Sequence, residues 1–407
     1  MSDTPLDKEQ PALSGKANRA AILGAMFLMA TSAIGPGFIT QTTTFTAKLG
    51  AAFAFAVLAS TLVDVAVQLN VWRVVGISGM RVGELGNSVL PGLGWALAGL
   101  VVLGGFVFNI GNIGGAGLGT SAMLGMNVKL GGALSAALAI GIFLSKRAGV
   151  ALDRIVVVLG AGMILLTGYV AIVSKPPVMD ALRETVAPST IDLVVITTLI
   201  GGTVGGYITY AGAHRALDSG LAGPEHSRDI TRSSVIGIMV TALMRALLFL
   251  AILGVVAGGV TLAKDNPAAS AFQAAAGEVG LRTFGIILWA ASLTSVIGAA
   301  YTSVSFLTRR DSPEKVRNLL TVGFIAICAV IFLIIGSAPV KLLIFAGAFN
   351  GLILPVGFTL VLWVAWRRRD LLQGYKYPQW LLVVGILAWL ITLYLGYSSI
   401  TSLGKLL

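Results

Sequence analysis

Eleven apolar runs follow one another along most of this chain, each of membrane-crossing length. They cover about 19–47, 52–77, 93–123, 130–147, 153–174, 190–215, 233–258, 281–308, 316–336, 339–366 and 379–402. About 20 apolar residues cross the hydrocarbon core as a helix. Backbone polar groups in lipid must be satisfied internally, which leaves helices or closed barrels. Runs of this length read as helices, so the expected fold class is an all-α polytopic membrane protein with eleven transmembrane helices. Pro176-Pro177, Gly223-Pro224 and Asn266-Pro267 mark loops between them. Only 11% of the residues are charged, where a soluble domain carries about 25%. Residues 1–18 are polar and read as a short disordered cytoplasmic tail without a cleavable signal peptide. Residues 19–407 form the transmembrane domain.

The basic residues orient the spans. With the N-terminus in the cytoplasm, nineteen of the 28 Lys and Arg fall on the inner side and eight on the outer side, with Arg245 inside a span. This bias favours N-terminus inside and C-terminus outside. It also accounts for the net charge of +11 without nucleic acid. The expected location is the inner membrane of a bacterium. The single cysteine, Cys328, sits in an apolar run, so neither a disulfide framework nor a cysteine metal site is available.

Two short strings echo each other: Gly35-Pro36-Gly37-Phe38-Ile39-Thr40 and Gly205-Gly206-Tyr207-Ile208-Thr209. They interrupt the first and sixth runs. Helices one to five (19–174) and six to ten (190–366) then form halves of opposite topology, with 379–402 as an extra helix. Broken helices in corresponding places of two inverted halves mark the substrate site of many secondary transporters. The restarted half-helices present unpaired N–H groups that suit an anion such as a carboxylate, and the half-helix ends opposite present carbonyls that suit a cation or an ammonium group, so the breaks suit a small zwitterion or an anion with a hydrogen-bond donor. Gly37, Phe38 and Ile39 N–H groups are the expected carboxylate cradle. Thr40, Gln41, Tyr207 and Asn109 are candidates for the remaining polar atoms, and Gly35, Gly205 and Gly206 for holding the breaks open. Phe38 or Tyr207 would serve as an aromatic lid.

Ionisable residues inside spans are functional candidates by default. Arg245 reads either as an attraction for an anionic substrate or as a structural partner of Asp64. Asp64 in turn is a candidate proton carrier. Asn109 and Asn112 share one face of the third helix, where they either join helices or line a polar path. Ser292, Thr294, Ser295, Tyr301, Thr302 and Ser303 make a polar stripe on the eighth helix. Glu84 reads as solvated at the inner rim. The breaks carry neither carboxylate nor imidazole, which counts against a transition-metal site. No nucleophile, acid–base or nucleotide-binding constellation stands out, so an enzyme is not expected. No cofactor is expected either.

The chain resembles the natural resistance-associated macrophage protein (NRAMP) family of divalent metal transporters over nearly its whole length. That family carries Asp-Pro-Gly-Asn in helix one and Met-Pro-His in helix six. Here Gly35-Pro36-Gly37-Phe38 and Gly205-Gly206-Tyr207 stand in their places, and Asn109 and Asn112 fall at two acidic positions tied to proton movement. Helix eight from Ser295 to Tyr301 and Pro355 in helix ten also match. The resemblance implies a LeuT-type fold with an inverted 5+5 repeat plus one helix. It does not carry over the metal ligands, all of which are replaced in the two motifs. The chain is more closely similar to a bacterial subgroup of NRAMP-like permeases associated with enzymes of 5-oxoproline use. That resemblance implies 5-oxoproline, or a related amino-acid-like carboxylate, as substrate.

The expected function is therefore secondary active transport of such a solute by alternating access. A coupling ion, H+ or Na+, would have Asp64 and Asn112 as candidates for its path, and simple facilitation without an ion stays open. The alternative is a proton-coupled carrier of hydrated Mg2+ or Mn2+. A membrane receptor or sensor is disfavoured, because no soluble signalling domain accompanies the spans.

Overall fold

Proline, glycine and short polar caps set where each helix starts and stops. The computed structural model describes residues 15–145, 148–335 and 339–403, which are helical throughout apart from connections. The first half comprises α1 (Gly15–Ala33), α2 (Pro36–Leu49), α3 (Phe53–Ser78), α4 (Val82–Val89), α5 (Leu93–Leu124), α6 (Val128–Leu144) and α7 (Ala148–Val173). A short α8 (Val178–Val186) leads to the second half. That half comprises α9 (Leu193–Thr203), α10 (Ile208–Asp218), α11 (Ser227–Ala257), α12 (Pro267–Leu307), α13 (Glu314–Ile335) and α14 (Pro339–Arg367). The last helix is α15 (Gln379–Leu403). Residues 1–14 of the expected 1–18 tail lie outside the described residues, as do Lys8, Lys146, Arg147 and Lys405 of the charge count. Residues 15–18 open α1.

Each expected apolar run corresponds to a helix or a broken pair, yet the tally of eleven spans is not recovered. Among the described residues, eight stretches are long and apolar enough to cross a bilayer, or nine if the 108° bend between Gly160–Val173 and Val178–Val186 is one broken span. The reasons are local. Helices α1 to α3 join into one apolar run across two short breaks, and α6 has only 17 residues.

Loop polar groups cap the helices that follow. Asn127 Oδ1 accepts the Lys129 and Leu130 N–H groups at 3.0 and 3.3 Å. Asn266 Oδ1 accepts Ala269 N–H at 3.2 Å. Asp192 Oδ1 accepts Val194 and Val195 N–H, both at 3.1 Å. Such caps replace donors that the first turn leaves unpaired. Burial works against the Asp192 carboxylate, but the Lys48 ammonium at 2.8 Å and the two capped N–H groups outweigh it and hold its pKa below the usual range.

The long helix α5 packs on α12 through glycines. A Cβ on Gly119 would strike the Trp289 backbone, one on Gly115 would strike Pro36 and Ser292, and one on Gly105 would strike Ser303. Small residues let helices approach this closely where lipid supplies no hydrophobic drive. Helix α12 is itself kinked near its start, where Gly277 adopts φ 62°. The segment Pro267–Ala275 therefore meets the long span that follows at a bend, with Phe272 stacked on Phe284 at 4.3 Å.

Candidate functional site

The two expected breaks are present. Helix α1 ends at Ala33, Gly35 is extended (φ −65°, ψ −179°), and Pro36 opens α2. Proline has no N–H to leave unpaired at that position. Helix α9 ends at Thr203, Gly206 takes a left-handed φ of 61°, and α10 opens at Ile208. The freed carbonyls find side chains. Ser295 Oγ donates to Thr31 O at 3.2 Å, and Thr209 Oγ1 donates to Val204 O.

Phe108 on α5 joins the two breaks. Its ring stands against Gly37, where a Cβ would meet it at 2.9 Å. The same ring packs edge-on to Tyr207 with centroids 5.7 Å apart. Phe38 and Tyr207 are both buried, at 0% and 1% exposure. The expected N–H cradle needs one correction. Ile39 N–H already donates to Gly35 O at 3.2 Å, because it falls where the first intrahelical bond can close. Gly37 and Phe38 N–H remain as the first-turn donors of α2.

Polar side chains from other helices close the region. Gln41 Nε2 donates to Leu343 O at 3.0 Å, while its Oε1 is buried without a partner. Asn350 on α14 donates to Gly104 O at 3.2 Å and Ala346 O at 2.8 Å. Its Oδ1 is also unpartnered, and it occupies the place a Cβ on Gly206 would take. Asn112 lies beside the Tyr207 hydroxyl and Asn109 beside Cys328 Sγ. Thr302 Oγ1 and Ser303 Oγ are buried and unpaired. Ser292 and Thr294 donate to their own helix, to Leu288 O at 2.6 Å and Ala291 O at 3.0 Å. Thr40 is buried within α2. Unpaired buried polar atoms are uncommon in folded proteins. Among the described residues, no three His, Cys, Asp or Glu side chains come together.

Arg245 is paired with Asp64. Its Nη2 donates to Asp64 Oδ2 at 2.8 Å, and both side chains are 1% exposed. Thr241 Oγ1 donates to the same carboxylate oxygen at 3.2 Å. The pair joins α3 to α11, while Arg245 Nε and Nη1 and Asp64 Oδ1 are buried without a hydrogen-bond partner. Glu84 is not simply solvated: its Oε2 accepts Arg81 N–H at 2.9 Å and caps α4.

A second ionic cluster closes one end of the bundle, and its members are drawn from three helices' ends. Arg81 Nη2 is bidentate on Asp218, at 2.9 and 2.8 Å to the two oxygens. Its Nη1 donates to Ser305 O and Thr308 O at 3.2 and 3.0 Å. Tyr301 Oη donates to Asp218 Oδ2. His214 Nε2 accepts Val82 N–H at 3.2 Å. Its Nδ1 is 2.8 Å from Ser305 Oγ, which donates onward to Thr302 O. These partners fix a neutral imidazole with its proton on Nδ1. Hydrogen bonds to charged groups contribute about 1.5–3 kcal/mol. Tyr301→Phe is expected to lower the thermal unfolding midpoint in detergent accordingly; an unchanged midpoint would show that Tyr301 does not hold Asp218. A cavity of about 790 Å3 abuts the cluster.

Phe108, Asn350 and the Arg81–Asp218 pair were not among the candidates read from sequence. Phe108 is one apolar residue in an apolar helix, and Asn350 was a visible amide whose place against Gly206 only the fold shows.

Related proteins agree with this architecture. Membrane protein YcsG of Bacillus subtilis is 50% identical, covering 95% of both chains. A membrane protein of Haemophilus influenzae is 48% identical over 94% of this chain and 95% of its own length. A manganese transporter of Eremococcus coleocola shares the fold with TM-score 0.77 at 19% identity, covering 97% of this chain and 89% of that one. MhsT, solved with L-phenylalanine, shares it with TM-score 0.71 at 16% identity, covering 93% of this chain and 98% of that one. The fold is thus of the LeuT type, in a multi-pass membrane protein. The family model described as natural resistance-associated macrophage protein-like matches residues 26–402, and the chain belongs to that family.

Proposed function

We propose that this chain is a secondary transporter for a small solute bearing one carboxylate, with 5-oxoproline as the test compound. The observation that carries the reading is the meeting of both helix breaks around Phe108. They offer backbone N–H groups and neutral amides where a cation carrier wants carboxylate or imidazole. Gly37 and Phe38 N–H would hold the carboxylate. Thr40, Gln41, Tyr207, Asn109 and Asn350 would take the remaining polar atoms, while Gly35, Gly205 and Gly206 keep the breaks open. Transport would proceed by alternating access about this site, as in other folds built from inverted repeats. The proposed setting is a bacterial inner membrane, with the N-terminus inside and the C-terminus outside. H+ or Na+ is the proposed coupling ion, with Asp64 and Asn112 as candidates for its path.

A second reading is favoured by family membership and by a manganese transporter sharing the fold. In it the cargo is a divalent cation that keeps its water shell and so needs few direct ligands. Uptake into proteoliposomes separates the two. Saturable uptake of radiolabelled 5-oxoproline, with Mn2+ and Mg2+ flux at background, is expected. Saturable Mn2+ or Mg2+ flux without organic uptake would establish the second reading.

A further inference from the structure

Helix α8 has nine residues and three kinds of side. At 3.6 residues per turn, Val178, Met179, Leu182 and Val186 share an arc of about 100°. All four are exposed, Met179 by 77% and Val186 by 79%. Asp180 and Arg183 fall on a second arc and are exposed as well. Ala181 lies on the third and is buried, with Glu184 and Thr185 half-buried beside it. The helix packs on α3 and on the turn Gly50–Ala52, and only this third side is covered. A helix this short does not hold in water by itself. Local bonds fix where it starts and stops: Ala181 N–H donates to Pro177 O at 3.1 Å, and Glu184 Oε2 accepts Ser189 N–H and Oγ–H at 2.6 and 3.0 Å. The direction of α8 decides what covers the apolar arc. It leaves the apolar segment Gly160–Val173 at 108°, close to a right angle. Helix α7 has 26 residues, where about 20 suffice to cross a bilayer, so α8 is not needed for the crossing. Asp180, Arg183 and Glu184, three charges in nine residues, also oppose placing it in the hydrocarbon. Spanning helices tilt by about 20° on average, so a helix near a right angle to one runs along the membrane surface. There its three sides meet three surroundings: protein, lipid and water. A protein partner fits less well, because four side chains on one short arc fall far below the roughly 1,000 Å2 that a stable interface buries.

We propose that α8 is an interfacial helix seated in the lipid surface. Val178, Met179, Leu182 and Val186 lie at the boundary between headgroups and acyl chains, and Asp180 and Arg183 face water. The lipid supplies the cover that so short an amphipathic helix needs. The seat also holds its neighbours. Only residues 187–191 separate α8 from Asp192, which caps α9 and pairs with Lys48 in the last turn of α2. The half-helices α2 and α9, one from each break, are thereby tied to the membrane surface at the ends away from those breaks. This seat is the same whichever solute the central site carries.

Depth measurements test the seat in the full chain, held in nanodiscs of phosphatidylethanolamine and phosphatidylglycerol. Met179→Cys, Asp180→Cys, Arg183→Cys and Val186→Cys are made one at a time and carry a nitroxide. Leu165→Cys, at an exposed position on α7, gives the reference within the hydrocarbon. Cys328 is buried and is retained, with its background labelling measured in the parent protein. Access of oxygen, which concentrates in lipid, is compared with access of a water-soluble nickel chelate. Labels at 179 and 186 are expected about 5–10 Å into the headgroup and acyl boundary, shallower than the label at 165. Labels at 180 and 183 are expected on the water side, with nickel access dominant. Leu182→Cys, on the same apolar arc, replaces either apolar position if that variant does not elute as the parent does in size-exclusion chromatography. Equal nickel access at all four positions would place α8 in water and overturn the proposal. Labels at 179 and 186 that neither reagent reaches would show a protein cover, and oxygen dominance at all four would make α8 part of a span; either result would overturn it as well.

Discussion

Gly206→Ala is expected to abolish transport. Two independent effects act at this residue. Its φ of 61° lies in the left-handed region, where a residue with a Cβ loses roughly 1–2 kcal/mol. The new Cβ would also land on Asn350 Oδ1, which is fixed by two hydrogen bonds of its own amide. Either the α9–α10 break must change shape or Asn350 must leave Gly104. Both outcomes disturb the region where Phe108 and Tyr207 bring the halves together. The expected result is initial uptake at least tenfold below the parent, with folded protein still recovered from the membrane by size-exclusion chromatography. Adding Asn350→Ser removes the collision but not the dihedral cost, so the double variant should regain part of the lost rate. Full uptake by Gly206→Ala alone would show that the break's shape is unimportant to the site.

The second large effect is expected at Asp64 and Arg245. Removing one partner of a buried ion pair leaves an uncompensated charge and destabilises by about 3–5 kcal/mol. Arg245→Met should therefore leave little folded protein, and Asp64→Leu should do the same. Replacing both at once with apolar side chains removes two charges together, and such exchanges are often neutral or stabilising. Asp64→Leu/Arg245→Met should restore the yield and the unfolding midpoint. Uptake by that double variant then decides what the pair is for. Normal rates with normal coupling make it a structural join between α3 and α11. A folded double variant that no longer responds to an ion gradient makes Asp64 part of the coupling path. Single variants as stable as the parent would contradict the pairing itself.

Much of the architecture was legible because membrane helices announce themselves by length and composition. Glycine and proline within such a run are equally plain, so Gly35-Pro36-Gly37 and Gly205-Gly206 could be placed as breaks before any coordinates. The number of spans was less secure, since α6 is short and the α2–α3 junction is too brief to divide an apolar run. Of the site, only residues with an unusual local signal could be found. Arg245 and Asp64 were conspicuous as charges within apolar runs, and their pairing was one of two open readings. Ile39 was assigned a free N–H because the sequence does not show at which residue the first helical bond of α2 closes. Phe108 had no local signal, because an aromatic ring in an apolar helix looks like packing until its neighbours are known. Arg81 and Asp218 are 137 residues apart, and nothing short of the fold pairs them.

The glycine contacts between α5 and α12 carry a mechanical consequence. From Gly105 to Gly119, over about 20 Å at 1.5 Å per residue, α5 meets α12 through the small side chains of Ser303 and Ser292 and, at Gly119, through the Trp289 backbone itself. A turn or slide of either helix would drive these close contacts into one another. In the alternating access proposed above, the pair would stand as a mast, with Gly35 and Gly206, on either side of the Phe108 ring, as the pivots of the moving parts.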